Sequence, residues 1–511
     1  MMNIQAMRSR LAPLVIDVAV FVSGAVVMIY EIVGSRVVAP FIGTSTYVWT
    51  SLIGVILGSL SLGYWYGGRL ADRRPDARVL AFVLLLAGGA VSLTILVKDV
   101  VASIVGGLPV PIEAKAVLVA ILLFAPASVC FGFVTPYAAR LRLTGISDSG
   151  RTVGRLYALS TVGSILGTFA AGFVLVPFVG STRTLYLIAA AVFAIALSLA
   201  PIKVTQTSVG TLLLFVLSLA ASEAASWSLA RSAGLVDVDT EYSRVRIFTT
   251  ADPATGRPIR ALATDPYITQ SAVFLDSDEL VLPHNRFYHL VRHYTPDFTN
   301  ALMIGGAGYT FPREFLRSYP SATIDVVEID PRMTELARMH FRLRDDPRMR
   351  IYHEDGRTFL NNAPDAGYDA VLIDAFGSLF SIPPHLTTRE AVAEIRRVLR
   401  PGGVVILNLG SAIEGPGSEF LGAELATYLS VFSTVELFQV HPDYPSGRLQ
   451  NLIVAARKDG GRPAPAPDEL IDQLLSHRRH LPAVDIAPLT DEVAPVEYYN
   501  AIALDEYLRI R

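Results

Sequence analysis

The chain has one cysteine, little charge and no recognisable cleavable leader, and each scarcity removes a class of protein. The single cysteine, Cys130, stands in an apolar segment. That excludes an intrachain disulfide and a thiolate zinc site, and leaves the redox compartment open. Charged residues make up 17% of the 511 positions and sum to a formal net charge of -3. With no basic face in the pattern, no nucleic-acid partner is expected. Arg8 and Arg10 precede an apolar stretch too long for a signal core, and no small-residue cleavage site follows it. What the chain has in excess is hydrophobicity, 52% of residues, concentrated in its first half.

Apolar runs near the roughly 20 residues that span a bilayer occur at 14–34, 47–67, 79–97, 114–139, 155–177, 183–200 and 208–225. They predict a transmembrane domain of about seven helices over 1–230, the last span being the shortest. Small residues four apart (Gly54 and Gly58, Ser59 and Gly63, Gly63 and Gly67, Gly163 and Gly167) let helix backbones approach, so one compact bundle is expected. Glu31 and Arg36 sit at the end of the first span, where an ion pair or headgroup anchor is the expected use. Arg69, Arg73, Arg74 and Arg78 follow the second span, and Arg140, Arg142, Arg151 and Arg155 follow the fourth. The positive-inside rule places both loops in the cytoplasm. Seven crossings would then put everything after Trp227 outside, while a nucleoside ligand for the later domain argues for the cytoplasm. The chemical argument is preferred, giving an inner-membrane protein with a cytoplasmic second half.

That second half is organised around ALMIGGAGYTFPREFLRSYPSATIDVVEID, residues 301–330. An apolar strand stops at Gly305, Gly306 and Gly308, restarts as a helix, and returns as a strand ending in Glu328 and Asp330. Glycines let a backbone approach a ligand, and an acid about 20 residues on can accept from a ribose. The competing reading is a βαβ unit whose glycines only ease packing. Further strands are expected at 349–353, before Glu354, Asp355 and Gly356; at 368–374, ending in Asp374; and at 404–409. An antiparallel pair follows at 432–440 and 451–457. Upstream, 242–250, the turn DPATG and 260–264 read as a hairpin, with a third strand at 267–274 and a helix over 282–294. The glycine loop, Glu328, Asp355 and Asp374 all fall at strand ends, where open α/β sheets bind ligands.

Taken together, GG-x-G, VEID, EDGRTFL, YD-x-VLIDA and LRPGGV, in this order after a hairpin carrying Ile268-Thr269-Gln270, resemble the spermidine synthases, or polyamine aminopropyltransferases. The resemblance covers about 240–457. The front half, with Tyr30, Glu31, Arg36 and GGRLADR (67–73), is similar to the membrane-spanning domain fused to such enzymes in bacteria, as are HLTTRE (385–390) and LTDEVAPVE (489–497). The fold class implied is an all-α multi-pass membrane bundle, then an α/β Rossmann-like domain of methyltransferase type with a small β cap. The expected boundaries are 1–230 for the bundle, 235–283 for the cap, 284–460 for the Rossmann-like domain, and 461–511 for a tail packing on it. The resemblance implies transfer of an aminopropyl group from decarboxylated S-adenosylmethionine to an amine such as putrescine, without a metal. Gly305, Gly306 and Gly308 would line the co-substrate site, Glu328 would hold the ribose, and Asp355 with Gly356 the adenine. Asp374 would accept the proton, and Gln270 and His289 would stand by the amine. The implied partners are a small amine, the lipid bilayer and, as an option, a second copy of the chain.

The departures fall on the amine side. Gly308, Leu290 and Gly377 stand where the family has acids, and Tyr242-Ser243 where it has YQ; Tyr309 and Phe376 add apolar surface, so a larger or more apolar acceptor is expected. Asp276 or Asp278 could rebuild the acidic cage. Plainer readings exist for single residues: a helix cap for Asp374 and His385, a turn for Asp355-Gly356, a packed polar residue for His289. Two other classes compete, an S-adenosylmethionine-dependent methyltransferase on the same scaffold and a transporter-like module with a non-catalytic nucleoside sensor. GGRLADR suggests the latter, for which seven spans are too few.

Overall fold

Contacts divide the chain into two units, residues 1–232 with 238–244 and residues 233–237 with 245–511. The computed structural model describes residues 4–43, 45–143, 145, 149–199, 206–264, 268–375, 382–459 and 469–510.

In the first unit the apolar runs become helices: α1 (Ile4–Ile42), α2 (Thr46–Arg73), α3 (Ala77–Gly106), α4 (Ile112–Leu123), α5 (Ala125–Gly132), α6 (Val134–Arg142), α7 (Ser149–Ala170, continued by a π-helical turn at Ala171–Val179), α8 (Ser181–Leu199) and α9 (Gln206–Ala233). Among the described residues six helices are long and apolar enough to cross a bilayer, and α4 with the α5–α6 stretch makes a further pair bent by 55°. The span expected at 114–139 is therefore a bent pair of helices rather than a straight one. Pro126 enters the first turn of α5, and its missing N–H and its ring open the helical ladder there. At the break the carbonyl of Leu123 accepts from the hydroxyls of Tyr30 at 3.0 Å and Thr94 at 2.7 Å, as a buried carbonyl outside the helical ladder needs a donor.

The small residues divide. A Cβ on Gly63 would lie 2.2 Å from the Val129 carbonyl oxygen, and one on Gly163 or Gly167 would strike the backbone of Phe21 or Ala25, so these glycines do bring helices together. Gly54 and Gly58 have nothing within 4 Å, which corrects their expected role. Asp17 on α1 takes Arg155 at 2.7 Å and Arg142 at 3.4 Å, tying α1 to α6 and α7. The segment 238–244 belongs to this unit. Asp239 accepts from the first amide of α8, Ser181 N, at 2.7 Å, and Arg36 donates to the carbonyl of Glu241.

The chain then forms an antiparallel meander of β1 (Val236–Asp239), β2 (Arg244–Ala251), β3 (Pro258–Ala263) and β4 (Ser271–Phe274), in that order, with all of it but 238–239 and 244 in the second unit. The hairpin pairs Ala251 with Pro258 and Arg246 with Ala263. The expected helix over 282–294 is a 3-10 turn (Pro283–Leu290) followed by the short α10 (Val291–Tyr294).

The main sheet then forms from β5 (Asn300–Ile304), α11 (Thr310–Ser318), β6 (Thr323–Val327), α12 (Pro331–His340), β7 (Met349–Tyr352), α13 (Gly356–Asn362), β8 (Tyr368–Ile373), α14 (Arg389–Val398), β9 (Leu399–Ser411), α15 (Glu419–Val431), β10 (Thr434–Gln439), β11 (Gln450–Arg457), α16 (Glu469–Ser476), β12 (Arg478–Arg479) and α17 (Val496–Ile510). The strand order is β12-β10-β11-β9-β8-β5-β6-β7. Strands β9, β8, β5, β6 and β7 run parallel, with β11 antiparallel beside β9. Alternate residues enter opposite cores: Ala301, Met303, Ile324 and Val326 pack with the cap, while Leu302, Ile304, Val371 and Ile373 pack with α14 and α15. This is why the strands read as continuous apolar runs. After β5 the chain moves outward to β6 and β7 and then returns to the far side of β5 as β8, so the crevice between β5 and β8 is the switch point of the sheet.

Candidate functional site

Asp374 and Gly305 flank that crevice. The amide of Asp374 donates to the carbonyl of Ile304 at 2.9 Å, and Gly305 has φ +98°. A Cβ on Gly305 would lie 2.5 Å from the Asp374 carbonyl oxygen, so only glycine lets the two strand ends approach this closely. One carboxylate oxygen of Asp374 accepts from Asn408 Nδ2 at 2.9 Å, and Asn408 Oδ1 accepts from Asn451 Nδ2 at 3.0 Å. The other lies 3.9 Å from His284 Nε2. Asn408 and Asn451 occupy β9 and β11, whose antiparallel register brings this end of β11 to the carboxyl edge of β9. None of His284, Asn408 and Asn451 was singled out from the sequence. The available signal was an asparagine interrupting the apolar strand VVILNLG.

Glu328 follows β6 and is buried, yet its carboxylate is turned onto the glycine loop. It accepts from the amides of Gly306 and Ala307 at 2.9 Å each, and from Asp330 N at 3.0 Å. Burial pushes its pKa up from the ordinary value, against the three amides, which favour the anion. Asp330 caps α12 through Arg332 N at 2.9 Å. After β7, Asp355 caps α13 through Thr358 N at 3.0 Å and meets His385 Nε2 at 2.8 Å. Burial raises its pKa, but the Thr358 amide and His385 outweigh that and hold it below the usual value. Gly356 packs against Ile304, which a Cβ would approach to 2.7 Å.

The structure thus brings the Gly305–Gly308 loop, Glu328 and Asp374 together around β5, with Asp355 and Gly356 at the adjoining edge. His289 and Gln270 are engaged elsewhere. His289 Nδ1 contacts the Tyr319 hydroxyl at 2.6 Å, with Glu314 3.8 Å from Nε2. Gln270 Nε2 donates to Thr264 Oγ1 at 2.5 Å within the cap.

The substituted acids have structural explanations. A Cβ on Gly308 would lie 2.7 Å from the Ser271 side chain, whose hydroxyl accepts from Gly308 N at 3.0 Å; the serine of β4 fills the space an acid would need. Tyr309 is fully buried, its hydroxyl 2.7 Å from Thr334 Oγ1. It is a core residue, which corrects its expected place on the acceptor surface. Leu290 is likewise fully buried. Asp276 is taken by Arg257 at 2.7 Å, and Asp278 by Arg313 at 2.7 Å and Arg342 at 3.1 Å. Phe376 and Gly377 lie outside the described residues. A cavity of about 330 Å³ opens beneath α13, lined by Asp325, Arg350 and Tyr368. It includes none of Glu328, Asp355 and Asp374; of its two carboxylates, Asp325 and Glu354, the first is already paired with Arg350 and Tyr368.

Residues 282–456, which hold every strand end just described, match the family described as the spermine/spermidine synthase domain. This is a spermine/spermidine synthase domain. A polyamine aminopropyltransferase of Vibrio vulnificus (strain CMCP6) is 33% identical over 149 residues, 29% of this chain and 48% of its own length. A probable polyamine aminopropyl transferase of Bifidobacterium longum (strain NCC 2705) is 29% identical over 231 residues, 41% of this chain and 50% of its own. The chain spans about half the length of these two relatives. Polyamine aminopropyltransferase 1 of Streptomyces coelicolor (strain A3(2)) is 26% identical over 460 residues, 84% of this chain and 80% of its own. That match is too long to be confined to the synthase domain.

Proposed function

We propose that the chain is a membrane-anchored polyamine aminopropyltransferase, moving an aminopropyl group from decarboxylated S-adenosylmethionine to an amine such as putrescine and releasing methylthioadenosine. The observation that carries this reading is the set of carboxylates at neighbouring strand ends, Glu328, Asp355 and Asp374, around the Gly305–Gly308 loop of a synthase domain. A carboxylate offers about four acceptor positions. Three amides occupy three of these on Glu328, which leaves room for a ribose hydroxyl. Asp355 and Gly356 would face the adenine. In the transfer, the amine nitrogen bonds to the carbon beside the sulfonium as the carbon–sulfur bond breaks, and the electron pair leaves on sulfur as a neutral thioether. A free alkylamine is protonated at neutral pH, so the nucleophile must first lose a proton. Asp374, fixed in orientation by Asn408, is the acceptor for it. Of the amine-side residues that the resemblance implies, the proposal keeps Asp374.

The bundle anchors this domain to a bilayer. Counting α9, 28 residues long, as a crossing supports a domain on the side opposite the arginine-rich loops. We therefore prefer the outer face to the cytoplasm. Membrane-impermeant thiol labelling of a cysteine placed in the 252–256 turn of a Cys130→Ala chain tests this, and labelling seen only after cell lysis would reverse it.

One observation favours a second reading, methyl transfer from S-adenosylmethionine: Ser271 replaces an amine-binding acid at Gly308. The deciding experiment incubates the detergent-solubilised chain with putrescine and either the decarboxylated or the intact sulfonium, followed by mass spectrometry. Methylthioadenosine from the decarboxylated form is expected. S-adenosylhomocysteine from the intact form would replace the proposal with its alternative.

A further inference from the structure

Asp374 has a neighbour that the reaction as written does not use. His284 opens the 3-10 turn PHNRFYHL and is buried, with Nε2 3.9 Å from the Asp374 carboxylate. Burial lowers its pKa, and the Asp374 anion raises it in part, so the ring is held toward its neutral, proton-accepting form. Tyr288, also fully buried, faces Asp374 and donates to the Ile373 carbonyl at 3.2 Å. His441, just beyond β10, lies within electrostatic reach of His284, and also of His477, Arg448 and Asp443. His284 thus has one carboxylate and a second imidazole within reach, and a phenol faces that same carboxylate. The two amides of Asn408 and Asn451 complete the set behind Asp374.

We propose that His284 and Asp374 act as one proton-accepting pair for the incoming amine, and that the acceptor end they form suits an amine bearing one positive charge rather than two. The proposal rests on the transfer reading and deepens it. The amine arrives as an ammonium ion, and its proton passes to the pair. The neutral nitrogen then attacks, and the proton leaves from the pair to solvent; apo separations of this size commonly tighten in the substrate complex. The charge argument is one of pairing. A buried cation without an anion is costly, and a dication needs two anions. Gly308 and Leu290 supply none, Asp276 and Asp278 are held by arginines, and Asp443, beside His441, is exposed to solvent rather than buried with Asp374. Glu314 is held by Arg317. Asp374 can neutralise one ammonium group, and imidazole and carboxamide groups cannot neutralise a second.

The test compares n-butylamine with putrescine, using full-length protein in detergent with decarboxylated S-adenosylmethionine, from pH 6 to 10. The expected result is a kcat/KM for the monoamine at least about tenfold above that for putrescine, a preference of roughly 1.4 kcal/mol. A preference for putrescine overturns the charge assignment. His284→Gln is expected to lower kcat by about tenfold or more and to move the acid limb of the pH profile, with methylthioadenosine binding retained as the check on folding. Turnover within twofold of the parent and an unmoved limb overturn the pairing. Should that variant fail to bind, NMR titration of His284 in the parent and in Asp374→Asn reads the pair directly. A lowered His284 pKa in the variant is expected, and an unchanged one overturns the proposal. If neither amine is turned over while methylthioadenosine binds, the transfer reading has failed, and the titration still judges the pair.

Discussion

Glu328 and Asp374 stand on opposite sides of β5, and they are held by different chemistry. Three main-chain amides, two from the glycine loop, grip Glu328. Asp374 is oriented by side chains, Asn408 at 2.9 Å and His284 at 3.9 Å. The first arrangement belongs to the backbone path of a βαβ turn and persists while the loop does. The second depends on residues from β9, β11 and the 283–290 turn, each of which can change without altering the fold. The half of the site that would take the nucleoside is accordingly the half whose motifs are retained. The half that would take the amine is where Gly308, Leu290 and Gly377 depart.

The sharpest way to break this contrast is Asp374→Asn. Turnover should fall by roughly 10²–10⁴ in kcat, while methylthioadenosine binding by calorimetry stays within about twofold. Loss of binding would mean that the two halves are not separable. Glu328→Gln should come next. A carboxamide nitrogen cannot accept from Gly306 or Ala307, and a buried donor left unsatisfied costs about 1–3 kcal/mol. Both the melting temperature and nucleoside affinity should drop, and unaltered values would show that the loop does not need its carboxylate.

Gly305→Ala couples the halves, because its Cβ would press on the Asp374 carbonyl from a backbone at φ +98°. A loss of about 1–3 kcal/mol of stability is expected, with turnover impaired more than nucleoside binding. Glu424 sharpens the comparison as a carboxylate held by nothing. It is fully buried on α15, and neither oxygen has a hydrogen-bond partner among the described residues. Burial raises its pKa well above the ordinary value. The folded state therefore binds more protons than the unfolded one above the ordinary carboxylate range, and stability should decline as pH rises from about 4.3 through the raised value. Glu424→Gln should flatten that decline in denaturant melts between pH 4 and 8, an effect on the order of 1–3 kcal/mol. An unchanged slope would mean that another group sets it. The smallest effect is expected for Asn451→Ala, which reaches Asp374 only through Asn408. A loss of about 1 kcal/mol or less in stability and a few-fold loss in kcat should result, and a fall as large as that of Asp374→Asn would give Asn451 a more direct role.

Much of this was legible in the chain itself. Apolar runs placed the helices of the first unit and the strands of the second, because burial on both faces or in a bundle demands unbroken hydrophobic stretches. The glycine loop and the acids ending β6, β7 and β8 could be read from order and spacing, since strand ends in an open α/β sheet fall on one edge whatever the intervening helices do. The bend at Phe124 was less visible. Pro126 was there to see, but how the carbonyl of Leu123 at the break would be satisfied depended on Tyr30 and Thr94, 93 and 29 residues away in sequence.

Only the tertiary structure decided what surrounds each acid. Glu328 could be foreseen at a strand end, but its turn onto Gly306 and Ala307 depends on the φ and ψ of the loop. His284, Asn408 and Asn451 meet Asp374 from three separate segments, a convergence that no local periodicity encodes. Tyr309 and Leu290 were placed by their neighbours in the linear motif and proved to be core, because a residue beside a catalytic position in sequence can point to the opposite face. The residue types and their order set the fold and the row of acids; the distances between non-local side chains set the partners of those acids and the charges left to receive a substrate.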